Sequence, residues 1–284
     1  MPDQQLIATL ELIKLCTVTT PGPTPSSMPI ANILHYQPSK VGRMLDLTQT
    51  EITVNLTSGL ALVAFHGLSS YRWVVIVGGS LTSAGTVEVF TGPTEISVAS
   101  SGTASLHLPP QPYWITIENN RNRFPVRHTW IDLGSQRTEP FLRLVFSDPT
   151  NPDGFIDLGT ILIHPGYIPT IPIKTKPSLG ANETARITHS VSGAKHTQIQ
   201  PIYRQREISM QAIGSTARDE VLSQWAALQE TVGLHDPFVV ITNTLPSSNY
   251  MDEIVYGELT KFTPVLMPEA WGSSEIIFDY EELK

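Results

Sequence analysis

The chain has 284 residues, of which only 15% are charged, against about 25% in an average globular protein. Low charge, 23 prolines and 40% apolar residues disfavour a helical bundle, a coiled coil and a disordered tail. They favour an all-β protein with many turns. Because protein interfaces are depleted in Lys, Glu and Asp, the low charge is also a first indication of an assembly subunit.

The net charge of −8 is concentrated near the C-terminus. Residues 249–284 hold eight acidic and two basic residues, which is −6 of the total. This stretch could face a basic partner, but a solvated acidic face explains it more simply. Since no dense basic patch is present, we expect no nucleic-acid partner.

Residues 1–29 are predicted to form an N-terminal arm. Leu6, Leu10 and Ile13 would share one helical face, and strand pairing explains the same stretch equally well. Cys16 is the single cysteine, so an intramolecular disulfide is excluded and we expect its side chain to be buried. The first five residues lack the basic region of a secretory signal, and the longest apolar runs are too short to cross a membrane.

Residues 30–166 contain short alternating or apolar runs separated by turn residues, a pattern typical of a β-sandwich or jelly roll. The predicted strands are 51–55, 61–65, 71–77, 85–90, 113–118, 141–146 and 155–164. The last two form the clearest hairpin, because residues 148–154 between them are almost entirely turn formers.

The same turn is a candidate calcium loop. Asp148, Asn151 and Asp153 could offer three oxygen ligands. The spacing differs from that of an EF-hand, and the closing bidentate Glu is missing. We favour the turn, since turn chemistry alone predicts these residues.

Residues 167–198 are predicted as a proline-rich linker followed by a polar, mobile loop at 178–198. Residues 199–284 are predicted as a second β domain with one helix at 216–232. Thr216 is a suitable N-cap for this helix, Val221, Trp225 and Leu228 form an apolar stripe, and Gly233 ends it. The predicted strands of this domain are 203–213, 238–242, 254–262 and 274–280.

No specific catalytic, cofactor-binding or metal-binding constellation is found, so we expect a protein that is not an enzyme. The histidines are scattered and lack metal-ligand spacing; they are His35, His66, His107, His128, His164, His189, His196 and His235. Three pairs of adjacent acids, at 219–220, 252–253 and 281–282, cannot flank one bond, because neighbouring side chains point apart. The tryptophans could include a sugar-stacking platform, although core positions explain them more simply; they are Trp73, Trp114, Trp130, Trp225 and Trp271.

The order of several segments resembles the galactose-binding-like (discoidin-type) jelly rolls of bacteriophage tail proteins. The resemblance covers about residues 28–166. It rests on Ala31-Asn32-Ile33-Leu34 and Pro38-Ser39-Lys40-Val41-Gly42-Arg43, followed by the strand Glu51–Leu56 and the apolar run Leu60–Gly67. It rests further on Phe141-Leu142-Arg143-Leu144-Val145-Phe146-Ser147-Asp148 and on Asn151-Pro152-Asp153-Gly154 with the strand after it. The C-terminal part is similar in pattern to phage tail-tube and distal-tail domains.

The resemblance implies a structural virion protein of a phage tail tip or baseplate, assembled in the host cytoplasm. It would form a homo-oligomeric ring and contact other tail proteins. An alternative is a lectin-like carbohydrate-binding module for a host-surface glycan, and a third possibility is a glycan depolymerase. No binding-site residue is carried over from the family.

Overall fold

The computed structural model describes residues 6–9, 16–37, 39–48, 50–58, 60, 70–82, 84–97, 105–107, 128–164, 174–182, 185–189, 195–199, 203–213, 236–241, 254–260 and 273–283. Within these ranges the chain forms β-strands and a short 3₁₀ helix at Ile30–Leu34. The predicted mainly β fold class is therefore confirmed. The predicted helix at 216–232 and the predicted strands at 61–65 and 113–118 lie outside the described residues.

The first sheet has five antiparallel strands. In chain order they are β2 (Thr17–Thr19), β4 (Thr50–Asn55), β6 (Thr86–Gly92), β7 (Ser105–His107) and β9 (Phe141–Ser147). Their order in the sheet is β2-β4-β9-β6-β7. In β4, Ile52 and Val54 are fully buried whereas Glu51 and Thr53 are partly exposed, so one face of this sheet packs on the core and the other meets solvent.

The second sheet has four antiparallel strands, β3 (Gly42–Met44), β5 (Tyr71–Gly79), β8 (His128–Arg137) and β10 (Ile156–His164). Their order is β3-β10-β5-β8. Every residue from Trp73 to Gly78 and from Leu158 to Ile163 is buried, without the alternation of a half-exposed strand. Both faces of this sheet are therefore covered.

The connections of these nine strands follow a jelly-roll pattern. From β2 to β10 the chain passes from one sheet to the other at every connection except that between β6 and β7. Buried side chains of both sheets, such as Ile52 and Val75, belong to one hydrophobic cluster. The predicted jelly-roll β-sandwich is thus confirmed.

A third sheet has six antiparallel strands. Its strands are β1 (Leu6–Thr9), β11 (Lys174–Asn182), β14 (Tyr203–Ile213), β15 (Phe238–Ile241), β16 (Ile254–Leu259) and β17 (Ser273–Glu282), in the order β1-β15-β16-β17-β14-β11. Val239, Ile241 and Tyr256 belong to the same hydrophobic cluster as the sandwich. This sheet therefore supplies part of the cover over the four-stranded sheet.

The prediction of a loop at 178–198 is wrong for the residues that the structure describes in this range. They belong to the edge strand β11 and to a hairpin of β12 (Ala185–His189) and β13 (Lys195–Ile199). A two-stranded ribbon is held by backbone hydrogen bonds, so a polar sequence can form it without the apolar alternation that strand prediction requires.

The N-terminal residues pair as strands, which was one of the two alternatives for them. β1 pairs with β15, and β2 pairs with β4. The first two strands thus join different sheets, and Cys16 just before β2 is buried as expected. The division into domains at residues 29, 166 and 198 stays a prediction. No helix among the described residues has the length and apolar character needed to cross a membrane.

Candidate functional site

The described tryptophans are core residues. Trp73 is 2% exposed and Trp130 is 4% exposed, and both belong to the hydrophobic cluster. The favoured interpretation of these two residues is confirmed. Trp114, Trp225 and Trp271 lie outside the described residues. A stacking platform in the described part of the chain must therefore come from another aromatic side chain.

Tyr36 is such a side chain. Within the described ranges, three large apolar side chains are exposed, Tyr36 (44%), Leu45 and Ile96, and Tyr36 is the aromatic one. It follows the 3₁₀ helix, which begins after Pro29 and buries Ile30 and Ile33. The buried helix fixes the point from which the tyrosine reaches the surface.

Two long-range hydrogen bonds anchor the backbone at this point. The Thr160 hydroxyl of β10 donates to the carbonyl oxygen of His35 (2.6 Å), and the Tyr256 hydroxyl of β16 donates to that of Tyr36 (2.6 Å). Burial raises the pKa of Tyr256, so its hydroxyl keeps the proton that it donates. The Tyr36 segment is therefore held by both the sandwich and the six-stranded sheet.

Polar groups surround the exposed ring. The rings of His35 and Tyr36 stack with centroids 4.6 Å apart, and Lys40 Nζ lies 2.9 Å from His35 Nε2. The Gln37 backbone N–H donates to His35 Nδ1 (3.1 Å). Partial burial and, next, the Lys40 ammonium lower the pKa of His35, which favours the neutral ring. We call His35, Tyr36, Gln37 and Lys40 the Tyr36 patch.

A neighbouring basic residue, Arg43, has a structural role. Its guanidinium forms a two-bond ion pair with Asp157 (2.7 and 2.8 Å), which joins β3 to β10. It also lies over the Phe155 ring, 3.5 Å from the centroid. The hydrogen bond that Arg43 donates to Asp157 raises the pKa of Arg43. Lys40, in contrast, has no carboxylate partner within the described residues.

The candidate calcium loop forms a turn whose oxygen atoms bind protein donors. Asp148 is fully buried. Its Oδ2 accepts hydrogen bonds from Thr82 N (2.8 Å) and Asn151 Nδ2 (3.0 Å), and its Oδ1 accepts one from Thr82 Oγ1 (2.7 Å). Asn151 Oδ1 accepts the backbone N–H of Asp153 (3.0 Å). Residue 154 is a glycine with φ +74°, as the turn requires.

These contacts join the 148–154 turn to the loop before β6 and leave the carboxylate of Asp148 inside the protein. Across the described ranges, no group of three or more His, Cys, Asp or Glu residues is placed to hold a metal ion. The Asp148 cluster therefore supports the loops at one end of the sandwich.

Two further histidines lie in or beside the core. His128 is buried; its Nδ1 accepts the Gly78 N–H (3.2 Å), and its Nε2 lies 4.0 Å from Glu282 of β17. Burial lowers the pKa of His164, at the end of β10, to about 4. His35 thus differs from both, because it stands beside an exposed aromatic ring and a lysine.

Sequence reasoning did not identify the Tyr36 patch. It considered tryptophans as platforms and His35 only as one of eight scattered histidines. A local signal for the patch is present in the sequence. Two adjacent aromatic residues, His35 and Tyr36, are followed by a turn-forming proline, Pro38, and by a cation, Lys40.

No family model matches the chain, and no curated protein matches it. Among solved structures, it is similar to an f-lectin (fucolectin) from striped bass (Morone saxatilis) serum, with 11% identity, a TM-score of 0.38, and coverage of 98% of this chain and 99% of the other. It is also similar to CpGH89CBM32-6 produced by Clostridium perfringens (12% identity, TM-score 0.35, 55% and 98% covered).

A third similar structure is the N-terminal domain of the single-strand break repair protein XRCC1 (15% identity, TM-score 0.31, 58% and 99% covered). The three similar structures belong to differently named proteins, and each has low sequence identity to this chain and a TM-score below 0.5. They carry no argument about function, which has to come from the site itself.

Proposed function

We propose that the protein binds carbohydrate and that the Tyr36 patch is its sugar-binding site. The observation that carries the proposal is the half-exposed Tyr36 ring, fixed from behind by the Thr160 and Tyr256 hydrogen bonds. An aromatic ring offers an apolar face to the C–H side of a sugar, while neighbouring polar groups bind its hydroxyls.

Each member of the patch has a role in this proposal. Tyr36 supports the sugar ring, and its stacking on His35 limits its rotation. Lys40 and the Gln37 side chain supply hydrogen bonds at the edge of the ring. Because the backbone is already anchored, little conformational entropy is lost on binding, which favours affinity at a small site.

The test is a glycan array followed by titration of the best ligand. We expect Tyr36→Ala to weaken binding by about tenfold, in line with the free energy of an aromatic contact. Leu45→Ala is the matched control, because Leu45 is similarly exposed (48%) but lies outside the patch. Equal losses in the two variants, or no glycan binding by the natural protein, would contradict the proposal.

A second candidate, the phage tail or baseplate subunit, is favoured by the outer strands of the six-stranded sheet. Among the described strands, β1 pairs only with β15 and β11 only with β14, so each offers an edge for pairing with a neighbouring copy. In this proposal the protein assembles into a ring within the virion tail. Light scattering and negative-stain microscopy test it, and a strictly monomeric protein at high concentration would refute it.

A further inference from the structure

We infer that the Tyr36 patch selects an acidic sugar, whose anionic group is bound by Lys40 and His35. The inference deepens the carbohydrate-binding function proposed above and rests on it.

The hydrogen bonds of His35 place two donors against each other. Because Nδ1 accepts the Gln37 N–H (3.1 Å), the neutral ring carries its proton on Nε2. That Nε2–H lies 2.9 Å from Lys40 Nζ, which is itself a donor. Two donors cannot satisfy each other, so an oxygen that accepts from both would remove the conflict. An anionic oxygen is the best acceptor for such a pair.

The charge around the patch also favours an anion. Residues 12–45 contain no Asp or Glu, although the chain as a whole has a net charge of −8. Arg43 in this stretch is paired with Asp157, whereas the Lys40 ammonium has no carboxylate partner among the described residues. Burial first, and then the Lys40 ammonium, lower the pKa of His35.

The spacing fits two neighbouring residues of one glycan. Tyr36 stacks on His35, and His35 contacts Lys40, so the platform and the cation are separated by a single imidazole ring. Because His35 covers one face of the Tyr36 ring, a sugar ring would stack on the opposite face. A uronic acid as the next residue carries its carboxylate one bond outside its pyranose ring, and this carboxylate would reach the edge where Lys40 Nζ and His35 Nε2 converge. A sulfate ester supplies the same anionic chemistry.

The test compares, by calorimetric titration, three oligosaccharides built on the best ligand of the glycan array: the neutral sugar, the uronic acid and the sulfated sugar. We expect the full-length protein to bind an acidic form about fivefold to tenfold more tightly than the neutral form. Lys40→Gln should abolish this preference, and Lys40→Arg, which keeps the charge, should retain most of it. Tyr36→Ala should weaken binding of all three sugars.

The outcomes distinguish the preference for an acidic sugar from the carbohydrate-binding function on which it rests. If the neutral and acidic sugars bind equally, or if the preference survives in Lys40→Gln, the inference is wrong and the sugar-binding function stands. If no glycan of the array and none of the three oligosaccharides binds, the proposed function fails and the inference fails with it. A preference for the uronic acid or for the sulfated form supports the inference and identifies the anion.

Discussion

The buried Asp148 carboxylate offers the sharpest test of how the loops of the sandwich are supported. Asp148→Ala removes the acceptor of three hydrogen bonds; two of the donors, the Thr82 N–H and the Asn151 side-chain amide, are fixed in place, and the third, the Thr82 hydroxyl, can rotate. A buried donor without an acceptor costs about 1–3 kcal/mol, so we expect a loss of about 3–4 kcal/mol in the free energy of unfolding. For 284 residues the unfolding entropy is about 0.6 kcal/mol/K, which converts this loss to a fall in Tm of about 5–7 °C.

The assay is thermal unfolding followed by circular dichroism, with two comparison variants. Asp148→Asn keeps the shape, and its amide oxygen can accept from both donors while its NH₂ donates to the Thr82 hydroxyl, so we expect a loss of about 1–2 kcal/mol. Asp153→Ala changes an exposed acid of the same turn and should lie within about 0.5 kcal/mol of the natural protein.

The same Tm measurement with EDTA and with added calcium tests whether the Asp148 turn binds a metal ion. Since the Asp148 oxygens already accept protein hydrogen bonds, neither EDTA nor added calcium should move the Tm of the natural protein. A rise in Tm with calcium that disappears in Asp148→Ala would show that the segment is a metal site. Equal effects of Asp148→Ala and Asp153→Ala would show that the buried contacts contribute nothing to stability.

Two further predictions concern anchoring and pH. Tyr256→Phe removes the hydrogen bond to the Tyr36 carbonyl, so it should lower the free energy of unfolding by about 1 kcal/mol and also weaken sugar binding. Tyr71→Phe removes a comparable hydrogen bond to the Glu139 carbonyl and should lower the free energy of unfolding alone. Urea unfolding measures the stability of both variants, and titration with the sugar measures their affinity. The unfolded state binds a proton at His164 near pH 6.5, but the folded state does so only near pH 4, so stability should fall as the pH drops from 6.5 to 4. The half-buried His164 ring should account for about 1–3 kcal/mol of this loss of stability. Urea unfolding of His164→Gln at pH 7 and 4.5 should therefore show a smaller loss of stability at the lower pH than the natural protein shows. An equal loss in the two proteins would contradict the assignment of this pH dependence to His164.

Local patterns predicted the sandwich well. The alternation at 141–146, the turn residues at 148–154 and the apolar return strand correspond to β9, the Asp148 turn and β10. The β-branched run at 71–77 corresponds to β5. In each case the signal lies within one strand or one turn, where residue type and hydrogen bonding are directly linked.

The missed features depend on contacts between distant residues. No local pattern shows that residues 6–9 pair with 238–241, or that the polar residues 185–199 form a hairpin. The Tyr36 patch has a local signal in His35, Tyr36 and Lys40, but the exposure of the Tyr36 ring depends on distant contacts. Trp73 and Tyr36 are both large aromatics, and only the packing of the sheets buries the first and exposes the second.

The pairing of β1 with β15 has a consequence for the order of folding. Leu6 lies opposite Ile241, so β1 leaves the ribosome long before its partner strand is made. The sandwich strands are complete by residue 164 and can pair earlier. Because pairing of such distant residues is slow, closure of the six-stranded sheet should limit the folding rate, and until then the apolar β1 is exposed to aggregation and to chaperones.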